Sequence, residues 1–133
     1  MAADLNHVIV HCKNRHESAA FVAELLGTKP PVDVAIFTQI TTSNGVDIDF
    51  ADSVVPADRL DPSHLAFLVT EEEFDATLAK ITERSLTHWA DPYRTTEGIN
   101  HNDGGRGVYV QDPGGTIAVE FLTVPYGGWP TSA

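Results

Sequence analysis

Apolar and polar positions follow the same order in both halves of the chain. The apolar segment Asn6–Val10 aligns with Ser63–Phe67, a repeat of 57 residues. In each half, apolar residues then recur at helical spacing, and two runs of strand character follow around a glycine-containing turn. A short extra strand is expected before each hairpin, near Val32 and near Thr87–Ala90. The pattern therefore predicts the element order β-α-β-β-β, twice.

Local signals mark the helices and the hairpin turns. The first helix is expected over Glu17–Leu26 and the second over Glu71–Arg84, with Thr70 as the N-cap of the second. Tight turns are expected at Asn44-Gly45 and at Asp112-Pro113-Gly114-Gly115, because Asn, Pro and Gly favour such backbone conformations. These signals fix where each half changes from helix to hairpin.

Neither half is expected to bury both faces of its sheet alone. The sequence therefore predicts an α+β fold in which two paired βαβββ modules form a cleft between curved mixed sheets. The modules span residues 4–55 and 60–125 approximately, within a single domain of residues 1–133. The irregular stretch Asp91–Arg106 is long for a compact domain and is typical of a functional loop, such as a lid.

Charge and cysteine content narrow the range of partners. The 19 acidic and 8 basic residues give a net charge of −11, which disfavours nucleic acid and anionic membrane surfaces as partners. A small-molecule substrate is expected instead. The lone Cys12 cannot form an internal disulfide, and the N-terminal residues lack a signal-peptide pattern, so a cytoplasmic location is predicted.

Three polar residues lie inside apolar strands. His7 and His64 occupy equivalent positions of the repeat, and Glu120 stands within an apolar run. A buried carboxylate is costly unless it is paired or bound to a metal. Each residue also has a plainer interpretation, as a satisfied structural histidine or as a carboxylate on an edge strand facing water. Together they form a two-histidine, one-carboxylate set, which suits Fe(II), with Mn, Ni, Co or Zn possible.

These residues resemble the vicinal oxygen chelate superfamily, the group of glyoxalase I, bleomycin-resistance proteins, fosfomycin-resistance enzymes and extradiol dioxygenases. The resemblance covers nearly the whole chain and implies that His7, His64 and Glu120 are metal ligands. It places Asp49 where glyoxalases carry a further acidic ligand. It also implies a homodimer, with ligands from one chain or two. The motifs that carry it are Leu5-Asn6-His7-Val8, Ser63-His64-Leu65 and Asp112-Pro113-Gly114-Gly115.

The second module is similar to extradiol dioxygenases in a narrower way. A histidine, an aliphatic-tyrosine pair and the Asp-Pro-Gly-Gly turn precede Glu120. The likeness implies that His101 assists proton transfer and that Tyr109 holds the bound oxygen. Two departures are present. The stretch Gly115–Glu120 is one residue longer than usual, which predicts a β-bulge. Asp49 lies about where those enzymes carry an acid-base histidine.

Further residues are candidates for the pocket wall. His11 shares a strand face with His7, and either lines the pocket or is partly exposed. Phe37 and Trp89 are candidate substrate-binding residues; Phe37 is expected in the core or the pocket wall, and a packed tryptophan is the commoner arrangement for Trp89. Cys12 falls on the opposite strand face and is expected to be a small core residue.

Four hypotheses follow from these residues. The favoured hypothesis is a metal-dependent enzyme that leans to an extradiol dioxygenase-like oxidoreductase with Fe(II), acting on a small substrate with neighbouring oxygens. A glyoxalase-type lyase or isomerase, with Asp49 or Glu120 as the base, is the alternative. A metal-free drug-binding protein like the bleomycin-resistance group, and an accessory domain without a site, are the non-enzymatic hypotheses.

Overall fold

The computed structural model describes residues 2–130. Within them lie two helices and seven strands, in an α+β arrangement that confirms the predicted fold class. Two mixed sheets are formed, with strand orders β1-β4-β3-β2 and β5-β7-β6. The elements are β1 His7–His11, α1 Arg15–Leu26, β2 Val32–Val34, β3 Phe37–Thr41, β4 Asp47–Ala51, β5 Ser63–Leu68, α2 Glu71–Glu83, β6 Gly107–Gln111 and β7 Ile117–Leu122.

The chain divides into two compact units. The first unit contains the residues up to Ser63 together with Asp112–Ile117. The second unit contains His64–Gln111 and the residues from Ala118 onward. The strands that carry His64 and Glu120, β5 and β7, therefore lie almost wholly in the second unit.

The first sheet has one apolar face and one polar face. β1 pairs in parallel with β4, whereas β3 is antiparallel to both β4 and β2. Val10, Ile48 and Phe50 are buried on one face, and α1 packs against β3 and β4. The strand register places His7 and Asp49 on the opposite face, because alternate residues point to opposite sides of a sheet.

The second sheet follows the same plan. β6 and β7 are antiparallel. The bonds Ser63 N–H to Thr116 O and Val69 N–H to Leu122 O both join residues 53 apart, which is the pattern of a parallel β5–β7 pair. The rings of Phe67 and Phe121 stack on one face, 5.9 Å apart. The alternate residues of β5, β6 and β7 form the other face, which carries the candidate site.

Both helices begin and end on local signals. Asn14 caps α1 by accepting a hydrogen bond from the Glu17 N–H, and Gly27 ends it with a left-handed φ of 72°. Thr70 and Glu73 form the expected capping box at the start of α2. The two predicted helices are confirmed to within two residues at each end.

Two expectations are wrong. No bulge interrupts β7, because its pairing with β6 is regular from Ala118 to Leu122. The strand follows a turn over residues 112–116, in which the Gly115 N–H bonds to the Asp112 carbonyl. The strand expected near Thr87–Ala90 is reduced to one residue, Trp89, which forms isolated bridges.

Among residues 2–130, neither helix is long and apolar enough to cross a bilayer.

Candidate functional site

The candidate site is built around Glu120, a buried carboxylate on β7. Only 2% of its surface is exposed. Its Oε1 lies 2.9 Å from Nε2 of His64 on the neighbouring strand β5, and the imidazole remains 44% exposed. The structure therefore brings together two of the three predicted metal ligands, one buried and one accessible.

Two tyrosines complete the environment of Glu120. The hydroxyl of Tyr126 donates a hydrogen bond to Oε2 of Glu120. The hydroxyl of Tyr109, directly across the strand pair from Glu120, lies 2.7 Å from that of Tyr126. Because the hydrogen of Tyr126 is used on the carboxylate, Tyr109 is the donor in this second bond. Both carboxylate oxygens are thus hydrogen-bonded, which accounts for the burial of Glu120.

Burial raises the pKa of both tyrosines. For Tyr126 the hydrogen bond to Glu120 raises the pKa further. For Tyr109 burial is the largest cause of the raised pKa, and the hydrogen bond and charge of Glu120 act in the same direction. Both phenols are therefore protonated donors at neutral pH.

The polar face of the first sheet holds the other predicted ligands. Oδ1 of Asn6 lies 2.8 Å from Nδ1 of His7, so this contact uses Nδ1 of the ring and not Nε2. Asp49 is only 8% exposed and accepts a hydrogen bond of 2.7 Å from the amide of Gln39. Gln39 stands opposite Asp49 in the strand register. Sequence reasoning missed Gln39, although its position in an alternating strand was the available signal.

The remaining predicted residues occupy different settings. Trp89 is partly buried, and its backbone exchanges two hydrogen bonds of 2.9 Å with Tyr109. Residues paired in this way share a face of the sheet, so Trp89 lies on the face of the candidate site. His101 is exposed at the start of a short 3-10 turn over Asn102–Gly104. Phe37 is partly buried on β3.

His11 and Cys12 lie on opposite faces of the chain at the end of β1. Nδ1 of His11 is buried and has no hydrogen-bond partner within residues 2–130. Cys12 is 1% exposed, and burial raises the pKa of its thiol. This placement shows that Cys12 is a small core residue, as its strand position predicts.

The donor atoms of His64 and Glu120 fit a divalent metal. Two ligands in adjacent positions around an octahedral ion, with bonds of about 2.1 Å, are separated by about 3.0 Å. The observed 2.9 Å between Nε2 and Oε1 matches that spacing. Within residues 2–130, no group of three or more His, Cys, Asp or Glu side chains is close enough to hold an ion. The structure thus places two candidate ligands side by side at a distance that a hydrogen bond also explains.

Tyr126 is the functional candidate that sequence reasoning missed. It lies after the last strand, in a turn closed by the bond from the Gly128 N–H to the Pro125 carbonyl. The only signal in the sequence is a tyrosine within a Pro- and Gly-rich stretch just after Glu120. That signal places a turn but does not indicate where the side chain of the tyrosine points.

Known proteins share this architecture. The solved structure described as "Oxidase ChaP-H1" is 47% identical, covers 96% of this chain and 100% of its own, and superposes with a TM-score of 0.87. "Oxidase ChaP-H2" is 44% identical, with 96% and 98% coverage and a TM-score of 0.87. A lactoylglutathione lyase from Agrobacterium tumefaciens shares the fold at 14% identity, with 92% and 94% coverage and a TM-score of 0.68.

Among curated protein sequences, no relative matches the chain. The family model of the Glyoxalase/Bleomycin resistance protein/Dioxygenase superfamily matches residues 4–121. This match spans both halves of the chain and the motifs that carry the resemblance to vicinal oxygen chelate proteins. The chain belongs to the Glyoxalase/Bleomycin resistance protein/Dioxygenase superfamily.

Proposed function

We propose that the chain is a metal-dependent oxidoreductase that uses O2 on a small substrate carrying two neighbouring oxygens, in the manner of an extradiol dioxygenase. The observation that carries this proposal is the pair of donor atoms on His64 and Glu120, 2.9 Å apart on one sheet face. The 47% identity to a protein described as an oxidase supports oxidation over other chemistry of the superfamily.

His64 and Glu120 would hold the metal, with Fe(II) favoured over Mn, Ni, Co and Zn because of the two-histidine, one-carboxylate set. The metal would supply positive charge for the substrate oxyanion and open positions for its oxygens. His7 belongs to the first unit and enters this proposal as third ligand through the sequence pattern. Its own geometry supports that role, because the Asn6 contact uses Nδ1 and orients the ring, so Nε2 is the nitrogen that would bind the metal.

The chain's own residues would bind and orient the substrate. Trp89 lies on the site face and offers an aromatic surface for a planar ring. Tyr109 is proposed to hold an oxygen atom, and for this its hydroxyl would have to turn from Tyr126 toward that atom. Asp49, with one oxygen bonded to Gln39, is retained as a candidate base. His101 is proposed for proton transfer, and its exposure on the Asp91–Arg106 loop gives it access to solvent.

Metal analysis of untagged, chelator-free protein tests the proposal. We expect near-stoichiometric iron in the wild type, and consumption of O2 when a catechol is added. His64→Ala and Glu120→Ala should abolish both. His16→Ala is the matched control, because that histidine pairs with Asp33 away from the site.

Other outcomes would redirect the assignment. Nickel, zinc or cobalt without O2 consumption would refute the oxidase proposal and favour a glyoxalase-type lyase or isomerase. Failure to take up any metal on anaerobic reconstitution would refute metal-dependent catalysis and favour the metal-free drug-binding hypothesis.

We also propose that the protein is a homodimer. The polar face of the first sheet carries three exposed aliphatic side chains, Ile9 at 48%, Val32 at 61% and Val34 at 45% exposure. Val32 and Val34 lie together on the edge strand β2, and exposed apolar side chains grouped in this way are typical of an interaction site. Light scattering coupled to size exclusion tests this, and Val34→Asp should shift the mass toward that of a monomer. A monomeric wild type at micromolar concentration would contradict the proposal.

A further inference from the structure

The side chain of Tyr126 reaches inward from the surface. The residue is 61% exposed, yet its hydroxyl contacts a carboxylate that is 2% exposed. The turn Pro125–Gly128 fixes the backbone on both sides, since Gly127 has a φ of 80° and the Gly128 N–H bonds to the Pro125 carbonyl at 2.9 Å. Such a positive φ suits glycine and specifies the turn. The backbone conformation of this turn therefore positions the side chain of Tyr126 against Glu120.

The two oxygens of Glu120 have different partners. Oε1 faces the accessible imidazole of His64, whereas Oε2 accepts the Tyr126 hydroxyl. The Tyr109 hydroxyl donates to Tyr126 and fixes the direction of that hydroxyl. A hydrogen bond of this kind, from a phenol hydroxyl to a buried carboxylate, is strong and directional. Only Oε1 is left on the side where His64 offers its nitrogen.

We infer that Tyr126 is a positioning residue that presents Glu120 to a divalent metal through Oε1 alone. This inference rests on the proposed metal-dependent function. With Oε2 held by Tyr126, Glu120 occupies one coordination position and not two. A position is thereby kept for a substrate that binds through two neighbouring oxygens. Hydrogen-bonding partners of this type orient metal ligands, and their loss weakens metal binding by about 10- to 100-fold.

The test measures metal affinity and not turnover. Co(II) is titrated anaerobically into wild type, Tyr126→Phe and Tyr93→Phe, in competition with a chromophoric chelator. Tyr126→Phe keeps the ring and removes the hydroxyl, and is expected to weaken Co(II) binding about 10- to 100-fold. Tyr93→Phe makes the same change on a tyrosine that is 83% exposed and should bind Co(II) like the wild type.

The visible absorption of bound Co(II) gives a second readout. Its intensity and band positions depend on coordination number, so release of Oε2 in Tyr126→Phe should change the spectrum. Tyr93→Phe should leave the spectrum unchanged. Far-UV circular dichroism of both variants verifies that the fold is retained.

The outcomes separate this inference from the proposed function. A wild type that binds no Co(II) overturns both. A wild type that binds Co(II), with a Tyr126→Phe affinity within about twofold, overturns the positioning role alone. Tighter binding by Tyr126→Phe also overturns it, because Tyr126 would then compete with the metal for Glu120.

Discussion

Asp112 organises the turn before β7 through three hydrogen bonds. The Ser18 hydroxyl donates to Oδ2 at 2.7 Å, and the backbone N–H groups of Thr116 and Ile117 both donate to Oδ1 at 2.9 Å. The residue is 3% exposed, so water cannot replace the carboxylate if it is removed. Asp112→Ala should therefore destabilise the protein strongly.

The magnitude follows from the donors that are left without an acceptor. A hydrogen bond to a charged group contributes about 1.5–3 kcal/mol, and an unsatisfied buried donor costs about 1–3 kcal/mol. Removal of a buried carboxylate also recovers part of its desolvation cost. We therefore expect Asp112→Ala to lower the free energy of unfolding by about 3–4 kcal/mol, less than the sum of three bonds.

Two further variants divide this value among the bonds. Asp112→Asn keeps an oxygen that can accept both backbone N–H groups, and the Ser18 hydroxyl can rotate to accept from the new amide. It should cost about 1–2 kcal/mol. Ser18→Ala removes one donor and leaves Oδ2 without it, at a cost of about 1–2 kcal/mol. The double variant with Asp112→Ala should cost less than the sum, because both changes remove the same bond.

Urea unfolding followed by far-UV circular dichroism measures these differences. The two tryptophans, Trp89 and Trp129, both lie in the second unit, so their fluorescence alone would not report directly on the first unit, to which Asp112 belongs. A loss below about 1 kcal/mol in Asp112→Ala would refute the reasoning. It would mean that the turn reforms with other acceptors.

Three other predictions concern single side chains. Thr70→Ala removes the N-cap of α2 and should cost about 1 kcal/mol in urea unfolding, whereas Thr70→Ser should cost little. Cys12 should be inert to a disulfide reagent in the native protein and react fully in urea, because burial raises the pKa of its thiol; fast native reaction would contradict its core position. The pKa of Asp33 is lowered by hydrogen bonds from Thr38 and His16, so its contribution to stability is complete above the ordinary value of 3.8 and is lost as pH falls through the lowered pKa. Asp33→Asn should therefore be less stable than wild type at neutral pH, and the difference should shrink on acidification; a pH-independent difference would contradict the assignment.

Local signals made much of the fold predictable from the sequence. The capping box at Thr70 and the αL glycine Gly27 act within a few residues, so they mark helix ends regardless of the rest of the chain. The repeat supplied the order of the elements, although the second half has only the bridge residue Trp89 where the first half has β2. The regular pairing of β7 up to Glu120, without a bulge, was not predictable. A count of residues gives no preference between a bulge in the strand and a longer turn.

The candidate site was predictable only in part. His64 and Glu120 stand out in the sequence because a polar residue in an apolar strand is costly to bury unless it has a partner. The structure places these two residues together. Tyr126 and Gln39 gave no such signal, since a tyrosine in a turn and a glutamine in an alternating strand are ordinary. Their contacts with Glu120 and Asp49 depend on strand register and on the path of the chain after β7. These features are set by tertiary structure.

Burial of Glu120 is a weaker indicator of a metal than the sequence pattern suggests. His64 and Tyr126 satisfy both of its oxygens with the protein's own donors, so the carboxylate can be buried whether or not an ion is bound. The stronger indicator is the asymmetry of the arrangement. A purely structural carboxylate gains most from partners that are themselves enclosed, but here one partner is an imidazole with 44% of its surface exposed. A metal that exchanges ligands with a substrate requires such an opening on the His64 side. Measuring metal uptake by His64→Ala therefore discriminates between Glu120 as a metal ligand and Glu120 as a purely structural carboxylate.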